Sequence, residues 1–256
     1  SNGYAPASGQ SPAPLTHPEW AEVVTTTQWK MMRCPISSAQ GSTLVDESQC
    51  WNNANTYPEP WNFQLLSWIE NAPEYLTQPN MWFLNPSSKK LQYIPPLGST
   101  TLNGMLPVLE TLISLSGQAG SPISNITFKG LQFSYATWYG PNTIDGYVSD
   151  QSGNYLKGSN YTANAYGHQK VVFSTPGNIN AQYAKNIIFD GNIFSHLGGV
   201  GLMLGKGSHN NLISNNTFTD ISSAAIQIGG VSEADLRPDA NSLVSSNQII
   251  NNDIWT

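Results

Sequence analysis

Charge is what this sequence has least of: Lys, Arg, Asp and Glu together make up 10% of its 256 residues. A helical protein of this size solvates its outer faces with more charge, and helix-period apolar patterns are scarce here, so a helical fold is excluded. The balance of 10 basic against 16 acidic residues gives a net charge of −6, which excludes the basic footprint of a nucleic-acid binder. No apolar run approaches the roughly 20 residues of a membrane-spanning helix. No His/Cys/Asp cluster has metal-ligand spacing, and GVGLMLGKG lacks the helix and GK[ST] ending of a phosphate loop. Neither a metal nor a cofactor is therefore expected. Cysteine is limited to two residues, and the chain opens on Ser without a leader, which reads as a mature or truncated piece of a secreted protein.

Asn, Ser, Thr and Gly are abundant, and 8 Trp with 11 Tyr argue against disorder. The chain reads as soluble and rich in β-structure. Cys34 and Cys50 bracket RCPISSAQGSTLVDESQC, whose AQGS centre looks like a turn between two strands. A disulfide across that hairpin, and hence an oxidising compartment, is the main expectation; two unpaired buried thiols are the alternative. Sequons at Asn125, Asn160 and Asn215 permit glycosylation.

Repetition carries the fold. NITFKGLQF (125–133), NIIFDGNIF (186–194), NNLISNNTF (210–218) and NSLVSSNQI (241–249) echo one another. Overlaid on their last residues, Phe133, Phe194, Phe218 and Ile249 align at offsets of 61, 24 and 31, as do Leu131, Asn192, Asn216 and Asn247. A 24-residue period suits one coil of a solenoid, with loops on the others. GLMLG (201–205) then falls on AIQIG (225–229), with Leu and Ile facing one way and Met203 and Gln227 the other. Short alternating strands in a 24-residue coil describe an all-β parallel β-helix, in which like residues stack on like at about 4.8 Å. Aligned Phe and Ile would fill the interior, and the aligned Asn would form a ladder at a bend. Residues 1–18 read as an extended lead and 19–104 as a hairpin-rich region that includes MWFL and LQYI around NPSSKK. Residues 105–256 read as the coils, with a long loop at 139–182.

RCP…QCW (33–51), IENAPEYLTQPNMWFLNPSSKKLQYIPP (69–96), PVLETLISLSG (107–117), NITFKGLQFSYATW (125–138), NIIFDGNIFSHLGGVGLMLGKGS (186–208) and NNTFTDISSAAIQIGGV (215–231) extend the comparison. Together they resemble a family of secreted right-handed parallel β-helix proteins from carbohydrate-degrading bacteria and fungi. The resemblance implies a right-handed solenoid and hydrolysis of a plant or microbial polysaccharide, without naming the sugar. Family members usually continue for several more coils, so the chain reads as the N-terminal part of a longer protein. An uncapped coil end invites self-association or continuation. The implied partner is a polysaccharide or oligosaccharide, with no nucleic acid or membrane.

Glycoside hydrolysis needs two carboxylates, about 5–10 Å apart. The outward groove positions hold Met203 and Gln227, which transfer no proton, leaving Gln227 as a substrate-binding candidate. The overlay places Tyr135, His196, Asp220 and Asn251 in one column. His196 and Asp220 are catalytic candidates there, Asp220 orienting or charging the imidazole; a bend-capping column is the alternative. Glu233 and Asp235, in the coil-lengthening GGVSEADLRPDAN, are further catalytic candidates, and Arg237 there is a binding candidate. A solvated turn is the alternative for that loop. Trp138, Tyr139 and Tyr147 would form a stacking platform for sugar, or pack the long loop onto the solenoid. A polysaccharide lyase, which would use Lys185 or Lys206 as base, and a non-catalytic binding or assembly module remain as rival readings.

Overall fold

The computed structural model describes residues 2–5, 14–27, 30–55, 66–99, 102–157 and 172–255. These residues fall into two compact units: those up to 104 with 140–151 and 155–157, and 105–139 with 152–154 and 172–255.

The first unit is built on an antiparallel sheet ordered Gly3–Tyr4, Thr43–Asp46, Met31–Gln40, Glu22–Thr26 and Trp68–Glu70. Tyr147–Val148 pairs with Met31–Gln40 as well. Alternation buries Met32, Cys34 and Ile36 on one face of the longest strand, with Leu44 and Val148 beside them. Cys34 is bonded to Cys50, which sits on the helix Ser48–Ala54. Part of the expected lead is a strand: Tyr4 is buried, hydrogen-bonded to Thr25, and its ring meets that of Trp51 edge-on with centroids 5.9 Å apart. Trp82–Asn85 and Lys90–Tyr93 form a separate hairpin. Asn160 and its sequon lie outside the described residues.

The second unit is a parallel β-helix of three sheets. Sheet A stacks Thr127–Lys129, Ile188–Asp190, Leu212–Ser214 and Gln248–Ile250. Sheet B stacks Gln132–Ala136, Ile193–Leu197, Thr217–Ile221 and Asp253–Trp255. Sheet C stacks Ile113–Ser116, Gly177–Gln182, Val200–Leu204 and Ile226–Ile228. Gly177–Gln182, inside the stretch expected as one long loop, is thus a coil strand.

Each coil is closed by repetition of one five-residue unit. Asn125, Gly130 and Tyr135 adopt left-handed backbone; so do Asn186, Gly191 and His196, then Asn210, Asn215 and Asp220, then Ser246 and Asn251. Gly191 marks the bend between sheets A and B, and the residue after it is buried Asn192. Inside, Phe133, Phe194 and Phe218 stack with ring centroids 5.1 and 4.4 Å apart, and Phe128 stacks on Phe189 at 4.8 Å. Full burial of each such ring stabilises the coil by about 2–3 kcal/mol. The Asn ladder runs beside them. Asn192 Nδ2 donates to Asn216 Oδ1 at 3.0 Å, and Asn216 Nδ2 to Asn252 Oδ1 at 2.9 Å.

The fourth copy corrects the overlay. Ile254, not Ile249, pairs with Phe218, and Ile249 pairs with Ile213 one sheet earlier. Asn247 accordingly belongs to a second ladder, accepting from Asn211 Nδ2 at 2.8 Å, and Asn251 pairs away from Asp220. The offset to the last coil is 36 residues, as Leu212 pairs with Gln248. The physical reason is the five-residue unit itself: sliding by one unit again matches Asn with Asn and apolar with apolar.

Candidate functional site

Two of the left-handed columns are filled mainly by Asn and Gly, the residues that tolerate positive φ best. The third carries Tyr135 and His196 at φ of +62° and +54°, above Asp220. Holding a bulky side chain there costs about 1–3 kcal/mol per residue. Backbone need does not select Tyr at this place, so its side chain does. The register passes from Ser134–Ser195 to Ala136–Leu197, leaving Tyr135 and His196 bulged outward between them.

Their geometry is ordered. The Tyr135 ring stacks on the His196 imidazole, centroids 4.9 Å apart and planes inclined by 17°. His196 Nδ1 shares a 2.6 Å hydrogen bond with Asp220 Oδ2, and the two side chains are 48% and 70% exposed. The carboxylate fixes the imidazole by its Nδ1 side, leaving Nε2 to meet a ligand or carry a proton. The column therefore offers an aromatic face, an oriented imidazole and a carboxylate on adjacent coils. Sequence reasoning placed Tyr135 in this column but did not name it as a site residue.

The other candidates lie apart from it. Gln227 follows Ser114, Asn180 and Met203 along the outer face of sheet C. It does not line an open groove: it is buried, and its Nε2 donates to Asn154 Oδ1 (3.1 Å) and Ser174 Oγ (2.9 Å). Asp235 caps the helical turn Glu233–Leu236. Its Oδ2 accepts from the Ser232 backbone N–H at 3.0 Å and hydroxyl at 2.6 Å, while its own N–H donates to Ser232 Oγ at 3.2 Å. Glu233 opens that turn, and exposed Arg237 follows it. Among the described residues no hydrogen bond or ion pair joins Asp235 or Arg237 to His196 or Asp220. Trp138 and Tyr139 belong to the second unit, where the Tyr139 backbone N–H donates to Glu110 Oε1 at 2.8 Å. Tyr147 belongs to the first, its ring 6.2 Å from that of Tyr155. His209 lines a recess of about 350 Å³ with Tyr183 and Lys185.

Among the described residues, carboxylates do not face one another across the coil registers. Asp190 lies between Lys129 and Ser214, and Asp253 opposite Thr217. Lys129 Nζ at 2.8 Å, with bonds from Asn215 and Ser214, holds the Asp190 carboxyl down at about 2. The ion pair and these bonds favour the charged form of Asp190, which suits it poorly to giving a proton.

A family model described as "Right handed beta helix region" matches residues 111–255. No curated protein matches the chain. A solved structure titled "Glycoside hydrolase" superposes with a TM-score of 0.76 at 22% identity, covering 92% of this chain and 44% of that one. The likeness is one of fold, and the chain spans less than half the length of that protein.

Proposed function

The chain belongs to the right-handed β-helix family, and on that premise we propose that it is a carbohydrate-active protein, part of a secreted glycoside hydrolase acting on a plant or microbial polysaccharide. The Tyr135–His196–Asp220 column carries this reading. Tyr135 supplies a rigid face for the apolar side of a sugar ring. His196 and Asp220 bind its hydroxyls, with Nε2 of the oriented imidazole as the proton carrier. Hydrolysis requires a second acid beside the column, and the side chain of Glu233, a candidate from the sequence, lies outside the described residues. The glycoside hydrolase superposition and the Cys34–Cys50 bond, which suits an oxidising compartment, support the assignment.

The alternative is a non-catalytic carbohydrate-binding module, favoured by the lack of facing carboxylates across the coil registers of the described residues. A polysaccharide panel separates the two through reducing-end release and binding. Asp220→Asn is expected to lower turnover with melting unchanged. Tyr135→Asn is expected to raise stability by about 1 kcal/mol, by relieving the left-handed tyrosine, yet to weaken binding. Wild-type binding without turnover selects the binding module. Unchanged binding and turnover in both variants refutes the column as the site.

A further inference from the structure

We propose that the first unit holds a second carbohydrate site, a cleft that takes a neutral saccharide between the indoles of Trp68 and Trp82 and the carboxyl of Glu22. The proposal goes beyond the solenoid reading and uses none of its residues.

Strand register builds the site. Glu22–Thr26 runs between Met31–Gln40 and Trp68–Glu70, which sets Glu22 opposite Glu70 and Val24 opposite both Arg33 and Trp68. Alternation then puts Glu22, Glu70, Arg33 and Trp68 on one face of the sheet. Arg33 binds the Glu70 carboxylate through Nη2, and its Nη1 lies 3.6 Å from Glu22 Oε1. Trp68 Nε1 donates to the other Glu70 oxygen at 2.5 Å. Both oxygens of Glu70 are therefore engaged, and it serves to hold Arg33 and the Trp68 indole in place. Glu22 is the carboxyl left with capacity for a ligand.

Two recesses, of about 500 and 450 Å³, meet along Glu22, Asn71, Trp82 and Asn142. Each lies within the roughly 300–1,000 Å³ usual for small-molecule sites. Trp68 and Tyr75 wall the first, Trp20 and Lys89 the second. Trp82 and Trp68 remain 62% and 43% exposed. Large indoles left open to water beside hydrogen-bonding groups suit the two kinds of surface of a sugar, its apolar ring face and its hydroxyl rim. Asn71 is committed to structure: its side chain bonds the backbone of Trp20 and Leu84.

Charge selects the class of sugar. Glu19, Glu22 and Glu70 line the cleft against Arg33 and Lys89, so its lining has one carboxyl more than it has cations, and Arg33 is matched by Glu70. A uronate or sulfated sugar would meet net repulsion, whereas a neutral one would meet only hydrogen-bonding partners. Burial pushes the Glu22 carboxyl up from its ordinary value, and the neighbouring Arg33 guanidinium opposes that shift.

The test is calorimetric titration with cellohexaose, xylohexaose, mannohexaose and, as the charged control, hexagalacturonate. The parent protein is the Tyr135→Asn/Asp220→Asn variant, so that the solenoid column is silent and the two sites fail independently. At least one neutral probe is expected to bind this parent. Trp82→Ala is expected to weaken that binding at least about tenfold, with Trp82→Tyr recovering part of the loss and Glu22→Gln costing a few-fold. Three results overturn the proposal: no neutral probe binds the parent, hexagalacturonate binds tightest, or Trp82→Ala with an unchanged melting curve binds as the parent does.

Discussion

Truncating Asn216 to Ala tests the ladder that locks one coil to the next. In the folded protein its Nδ2 donates to Phe189 O and Asn252 Oδ1, both at 2.9 Å. Its Oδ1 accepts from Asn192 N at 2.8 Å and Asn192 Nδ2 at 3.0 Å. Two of these partners have other bonds: Asn192 Nδ2 keeps Phe128 O, and Asn252 Oδ1 keeps the Asn216 backbone N–H. The buried Asn192 N–H loses its acceptor, whereas the Phe189 carbonyl stays in the parallel register that pairs Asp190 with Ser214. At about 1–3 kcal/mol for one unsatisfied buried group, Asn216→Ala should cost about 1–3 kcal/mol. That is a sizeable share of the roughly 5–15 kcal/mol that holds an ordinary domain together. Urea unfolding followed by far-UV circular dichroism should show the midpoint falling by roughly 1 M, given slopes of about 1–3 kcal/mol per molar urea. Asn215→Gly, one residue away but exposed and in left-handed backbone, is the control and should cost less than about 1 kcal/mol. A ladder variant no less stable than this control would refute the reasoning.

Asp46 predicts a pH dependence in the first unit. It is fully buried, neither carboxyl oxygen has a partner among the described residues, and burial pushes its pKa up to about 8. The unfolded chain releases that proton near pH 3.9. Between the two values the native state binds more protons, so stability falls as pH rises from about 4 to about 8 and then levels off. Asp46→Asn should flatten this slope and raise the melting temperature at about pH 8; melting curves that keep the wild-type slope would contradict it. For the disulfide, residues 34 and 50 are 16 apart in sequence, and closing such a loop stabilises by about 3 kcal/mol. The Cys34→Ala/Cys50→Ala protein should lose about that much from the first unit in denaturant, read by Trp fluorescence; a loss near zero would show that the sheet holds that segment without the bond.

The coil fold was legible because burial forces neighbours to match. Phe133, Phe194 and Phe218 recur where interior volume must be filled, and a string of letters records that demand directly. The slip at Ile249 had the same source. A coil closed by five-residue units looks like itself after a shift of five, and only the hydrogen-bond register separates the choices. His196 and Asp220 were found together because both lie on the repeat. Tyr135 was passed over because its left-handed backbone, the clue that its side chain is selected, is a dihedral angle and leaves no mark in composition. Gln227 was read correctly as outward-facing on its strand, yet Asn154 and Ser174 cover it, and alternation says nothing about what lies over a sheet. The cleft of Glu22, Arg33 and Glu70 was invisible for another reason. Antiparallel pairing joins residues from three separate stretches, and no repeat announces that register.

The coils close on the same strand partners after 24, 36 or 61 residues of chain. Whatever is added between the strands leaves each ring of strands in step with the one beneath it. The span from Gly229 to Ser242 therefore behaves as a graft point: a foreign peptide placed there would be displayed on a rigid post, its length free to vary without retuning the post itself.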